Sequence, residues 1–222
     1  MDLWGTRKES LATLERELSQ ESNIIQEIFQ LQDKCILFLV NSSKASSFTG
    51  ICGLVLIKSR NLALACYSLA LDGLAQESGA LLRPLIETLE LLTYFKNDPA
   101  RAEEAINGKL PKAGVIAKKN QGGFKKLRDY LNTHASHFGF TYESMQHLID
   151  SKTGEVKQIQ PHNIKVLRMN MGMLFLFQAF VVSEAINCLI NMEITDANRI
   201  ADSFEECKKM GLGIFFPKGT AF

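Results

Sequence analysis

The chain has 222 residues, 46% of them apolar and 22% charged, with a formal net charge of +1. That is enough apolar material for one substantial core, so a soluble, globular single domain over residues 1–222 is expected. Five cysteines without a C-x-x-C pair exclude a disulfide framework or zinc site and imply reduced, mostly buried thiols.

The N-terminal MDLWGTRKESLATLERELSQ alternates charged with apolar residues and has neither the apolar run nor the cleavage site of an export signal. A cytoplasmic location is expected. From Leu11 to Val40 apolar residues recur at helical spacing, which predicts one long amphipathic helix. The polar break NSSKASSFTG follows, and Ile51 to Ala75 predicts a second helix dense in Leu, Ala and Cys. The third helix contains Pro84, which either bends it or lies in the first turn of a new helix begun near Gly79. Asn97-Asp98-Pro99 is a stop and restart.

Next come a short helix near Ala100 to Asn107, a Lys- and Gly-rich loop, and a helix from near Gly123 towards His137. Between Phe138 and Gln160 the pattern changes, and MQHLID and EVKQIQ flanking SKTG suggest a small β-hairpin. Pro161 opens a long helix to Asn191, and a shorter one covers Asp196 to Met210. The two most apolar stretches, Gly50–Leu74 and Met171–Ile190, are interrupted by polar residues and make poor membrane spans, so no membrane partner is expected. The predicted architecture is all-α, an antiparallel helical bundle with at most one small hairpin.

Three features bear on function. In AQESGALLRPLIETLELLTYF, residues Arg83, Glu87, Glu90 and Tyr94 fall on one narrow polar stripe of an otherwise apolar helix. Arg83 and Glu87 either form an ordinary exposed pair one turn apart or pair inside a cleft. The second feature is Arg128-Asp129-Tyr130-Leu131-Asn132-Thr133-His134 with His137 close behind, holding two of the four histidines. Imidazole suits proton transfer near neutral pH and guanidinium suits a phosphate, a combination that fits phosphodiester chemistry. Arg128 and His134 lie about 120° apart on a regular helix. A shared site needs a long reach, a helix end or a second subunit; otherwise His134 packs beside Phe124, Leu127 and Leu131 and Arg128 is solvated.

The third feature is Lys109 to Arg128, which includes Lys118, Lys119, Lys125 and Lys126 and no acid. Its KKNQGGFKKLR places two glycines at an expected helix start, a setting that favours phosphate or an RNA backbone. His134 and His137 with Glu87 could also share a metal, although the Glu-x-x-His pattern of bundle metal sites is missing.

The segments ACYSLALDGLAQESGALLRPLIETLELLTYF and FKKLRDYLNTHASHFG resemble a group of uncharacterised bacterial helical proteins with an R-x-x-x-E helix followed by a His-bearing helix. The second is also similar to the HEPN superfamily signature, an Arg, a polar residue directly after it and a His a few positions on, matched here by Arg128, Asp129 and His134. The resemblance implies a commonly dimeric bundle and metal-independent RNA cleavage in toxin–antitoxin or antiphage systems, at a composite site of Arg and His from two subunits. It implies His134 as base or acid, Arg128 as phosphate clamp and Asp129 as orienting residue, with Arg83, Glu87 and His137 supporting and the four lysines on backbone phosphate. A homodimer, an RNA ligand and an antitoxin or defence partner are expected, with no cofactor and no resident metal. The alternative is a non-catalytic helical module that binds RNA or a partner protein.

Overall fold

A computed structural model describes residues 4–41, 46–136, 145, 148–150, 153–157 and 161–217. Among them are nine α-helices and no strand: α1 Gly5–Arg16, α2 Ser19–Val40, α3 Ser47–Leu71, α4 Ala75–Asn97, α5 Ala102–Ile106, α6 Ala113–Lys119, α7 Lys125–Leu131, α8 Ile164–Asn191 and α9 Ala197–Phe215. A 3-10 turn, Pro99–Arg101, leads into α5, and α7 runs on into a π-helical turn, Asn132–Ser136. The protein is an all-α helical bundle.

Local chemistry accounts for most boundaries. Ser46 starts α3 by accepting the Thr49 N–H while the Thr49 hydroxyl oxygen accepts the Ser46 N–H, a reciprocal cap. The same helix stops at Leu71, short of the expected Ala75, because Gly73 adopts φ +80° and lets the Leu74 N–H reach back to the Leu69 carbonyl. Asp98 accepts the Ala100 N–H ahead of Pro99, and the Asn163 side chain accepts the N–H groups of Lys165 and Val166 to open α8.

Two expectations need correction, and between the two alternatives for Pro84 the structure has the first, a proline inside one helix. The single helix over Leu11–Val40 is two, broken at Glu17–Leu18, because Leu18 turns into the core while α1 leans across the bundle. There Arg7 pairs with Asp72 and Ser68, and the ring nitrogens of His162 meet the buried hydroxyls of Ser10 and Thr13, each at 3.1 Å. Pro84 lies well inside α4, which runs unbroken from Ala75. The Lys- and Gly-rich loop contains α6, pinned by Ile116 and Ala117. The expected hairpin is present in its described part, where Ile149 bridges Val156 in antiparallel sense.

α8 is the central helix, contacted by α2, α3, α4 and α9. Its MNMGMLFLFQAFVV segment supplies core residues Met171, Leu174, Phe175, Phe177 and Val181. Among the described residues, α8 and α3 are long and apolar enough to cross a membrane; 61% of the most apolar stretch of α8 is buried inside the protein. All five cysteines are buried and unbridged, as expected.

α9 comes close against α8, where a Cβ on Gly211 would lie 2.1 Å from Phe175 Cζ. Phe175 is fully buried and cannot step aside. Gly211→Ala is expected to cost about 1–3 kcal/mol through overpacking, whereas Gly213→Ala, with nothing within 4 Å, should be neutral or gain about 0.5–1 kcal/mol. Chemical denaturation of the two variants measures both.

Candidate functional site

The predicted polar stripe of α4 divides into two halves. Arg83 and Glu87 are 3.5 Å apart with side chains 39% and 32% exposed, an ordinary surface pair worth about 0.3–0.5 kcal/mol. One turn further on the stripe goes under cover. Glu90 is 5% exposed and accepts a hydrogen bond from Arg128 Nη1 of α7 at 3.1 Å, with the Arg128 side chain 14% exposed. Arg128 is therefore not the solvated cation that the alternative to a shared site expects. Its Nε is buried with no partner, and so is Asn132 Oδ1 one turn later. Burial pushes the Glu90 carboxyl above the usual carboxylate range; the Arg128 charge pulls it down and Glu87 pushes it up.

Neighbouring contacts fasten this seam. Asn120, at the end of α6, donates through Nδ2 to the Glu90 carbonyl at 2.6 Å. Tyr94, fully buried, donates its hydroxyl to Glu104 at 2.8 Å, with the Arg101 guanidinium 4.4 Å above its ring and Lys119 Nζ 3.4 Å from its oxygen. Sequence reasoning missed Asn120, Asn132, Arg101 and Glu104. A possible signal was the polar end of α6 facing an α4 stripe that had no partner of its own.

The register of α4 against the following segment determines what else meets the stripe. Glu90 pairs with Arg128, and a methyl on Gly79 would lie 3.8 Å from the Ala135 Cβ. The two segments thus run antiparallel, and the π-helical turn that holds the His134 backbone lies along the Gly79–Arg83 part of α4. The His134 side chain and all of His137 lie outside the described residues. Asp129 is exposed at the outer edge of α7. The widening of the helix at Asn132 removes the regular-helix angle expected between Arg128 and His134.

The basic segment is partly as predicted. Lys118, Lys119, Lys125 and Lys126 are all exposed, although Lys119 also reaches Tyr94. The double glycine does not open a helix. Gln121 and Gly122 adopt φ 65° and 66° in a left-handed turn, and α7 starts only at Lys125, whose N–H already bonds the Gly122 carbonyl. A helix of seven residues leaves little dipole to hold an anion there. Among the described residues no cluster of His, Cys, Asp and Glu is arranged to hold a metal ion.

No protein family, curated protein or solved structure matches this chain.

The raised Glu90 carboxyl gives a signed expectation. A carboxyl whose folded value exceeds its unfolded one favours the folded chain most below the ordinary value of 4.5, and that contribution is lost as pH rises through the raised value. Wild type is therefore expected to lose stability relative to Glu90→Gln as pH rises from about 4.5 through the interval in which Glu90 ionises. Melting temperatures of both proteins across that interval measure it.

Proposed function

We propose that the chain is a metal-independent endoribonuclease of bacterial defence or toxin–antitoxin type, with its site on the α4/α7 seam. One observation carries the reading: Arg128 and the turn of His134 lie along the same edge of α4 that bears Arg83, Glu87 and Glu90. A π-helical turn at the end of a short helix is a costly geometry, and π-turns recur at functional sites, which adds support. In the cleavage envisaged, an RNA 2′-hydroxyl attacks the adjacent phosphate and gives its proton to a base, while the leaving oxygen takes one from an acid. His134 supplies proton transfer and Arg128 the phosphate clamp. Asp129 orients, and Lys118, Lys119, Lys125 and Lys126 hold flanking phosphates. Arg83 and Glu87 brace the turn. A homodimer would bring a second Arg128 and His134 to the reacting phosphate, and an antitoxin or defence partner would act by covering the seam.

A non-catalytic helical module that binds RNA or a partner protein is the second reading. It is favoured by the same ion pair, since Glu90 already occupies one edge of the Arg128 guanidinium.

His134→Ala is expected to slow RNA cleavage by roughly 10²–10⁴-fold while the chain stays folded, and Arg128→Ala combined with Glu90→Gln, which strands no buried carboxylate, by a similar factor, with EDTA having no effect. Purified wild type that cleaves no RNA, alone or after removal of a bound partner, leaves the module reading in place of the enzyme. Separately, changing Lys118, Lys119, Lys125 and Lys126 to Glu should abolish RNA retention at low salt. Retention by wild type should weaken steeply as salt rises, read by filter binding.

A further inference from the structure

Arg128 is held unlike the other arginines that reach a distant carboxylate. Arg7 grips Asp72 and Arg60 grips Asp33, each with two guanidinium nitrogens on the two carboxylate oxygens. Arg168 places Nε on Glu21 and Nη2 on the Ile214 carbonyl. Arg128 is the most buried of the four, its side chain 14% exposed against 29% or more for the others. Among the described residues it nevertheless has one hydrogen bond, from Nη1 to Glu90. A guanidinium carries five N–H donors, and withdrawing it from water with its Nε unpartnered is costly. Burial also pushes the Glu90 carboxyl above its usual range, as happens when the partner charge compensates only part of the lost hydration.

The helix that carries Arg128 is lightly anchored. Leu131 is the one fully buried residue of the seven in α7, and a segment with so little apolar contact opens locally at small cost.

The two uses of the guanidinium exclude one another. While Nη1 faces Glu90 Oε2 at 3.1 Å, a phosphate brought to the same group meets a carboxylate one hydrogen bond away, and like charges repel. A phosphate clamp therefore requires Arg128 to leave Glu90. Phosphate can draw it away, because it offers two oxygens to two parallel donors where Glu90 takes one. The exposed Lys118, Lys119, Lys125 and Lys126 on the same stretch of chain favour its approach.

We infer that Glu90 is an autoinhibitory latch: in the free chain it holds the Arg128 guanidinium against α4, and it yields that group to an arriving RNA backbone phosphate. Glu90 is thus a positioning residue that acts through Arg128. That the phosphate belongs to RNA rests on the ribonuclease reading; that Glu90 withholds Arg128 rests on the ion pair.

Labelling with phenylglyoxal, a dicarbonyl that attacks accessible guanidinium groups, tests the latch without RNA. Mass spectrometry at low extents of reaction gives the rate at Arg128 relative to Arg199, whose side chain is 80% exposed. In wild type Arg128 should lag behind Arg199. In Glu90→Gln it should react about tenfold faster than in wild type, the worth of one charged hydrogen bond. Glu90→Asp keeps the charge but withdraws it by one methylene, and its rate should fall between the two. Circular dichroism checks that the variants keep their helices, and Glu90→Asp decides the matter if Glu90→Gln does not fold. With RNA as substrate, Glu90→Gln should lower KM by about tenfold, because more of the chain is competent to bind, with the gain on KM rather than kcat. A glutamate that only braces the fold would give the opposite sign. Equal labelling of Arg128 in wild type and both variants overturns the latch, whatever happens to RNA. Cleavage by wild type with a KM that Glu90→Gln raises overturns the latch and leaves the ribonuclease reading standing. Faster labelling in Glu90→Gln with no cleavage by either protein upholds the latch and overturns the ribonuclease reading.

Discussion

α8 has almost no side that can face water. Packing it requires apolar surface from α2, α3, α4 and α9 at once, and the rest of the bundle follows from meeting that demand. Gly211 and Gly172 are small for this reason: each lies under an aromatic ring, Phe175 and Phe215 respectively, so that α9 can close the last open flank. The short helices α5, α6 and α7 play no part in enclosing α8 to the same degree. α6 and α7 gather on α4 and α5 on α3, which leaves α6 and α7 available for a polar seam.

That seam uses burial to make a small number of charges count. A surface pair such as Arg83 and Glu87 gains little from contact, because water screens it. Glu90 and Arg128 are withdrawn from water, so each would be costly without the other, and the pairing fixes where α7 can sit. The Arg128 Nε and the Asn132 Oδ1, both buried without a partner, mean that the pairing leaves polar capacity unused at the end of α7 and the start of the π-helical turn.

Much of this architecture is written in local pattern. Ser46, Asp98-Pro99 and Asn163 announce their helices through side chains that cap the next few amides, and apolar spacing gives the faces of α3, α4 and α8. The break at Glu17–Leu18 carries no glycine or proline; it arises because Arg7, Ser10 and Thr13 find partners in Asp72 and His162, far along the chain. α6 escaped notice because two buried residues are too few to make a period. The Arg83–Glu87 pair was legible from spacing alone, whereas Glu90 and Arg128 are 38 residues apart and meet only through the register of α4 with α7. Periodicity says which face of a helix is buried, and it is silent on which residue of another helix lies opposite.

The buried glutamines in the centre carry a consequence of their own. Gln178 of α8 donates to Gln32 of α2 at 3.1 Å, and Gln32 donates in turn to the Leu56 carbonyl of α3 at 3.2 Å. Leucine against leucine tolerates a slide of one helical turn, since the surfaces are chemically alike at every step. An amide does not, because displacing it strands two donors in a region without water. The chain of two amides therefore acts as an index mark, assigning α2, α3 and α8 one mutual alignment out of several that greasy contact alone would accept.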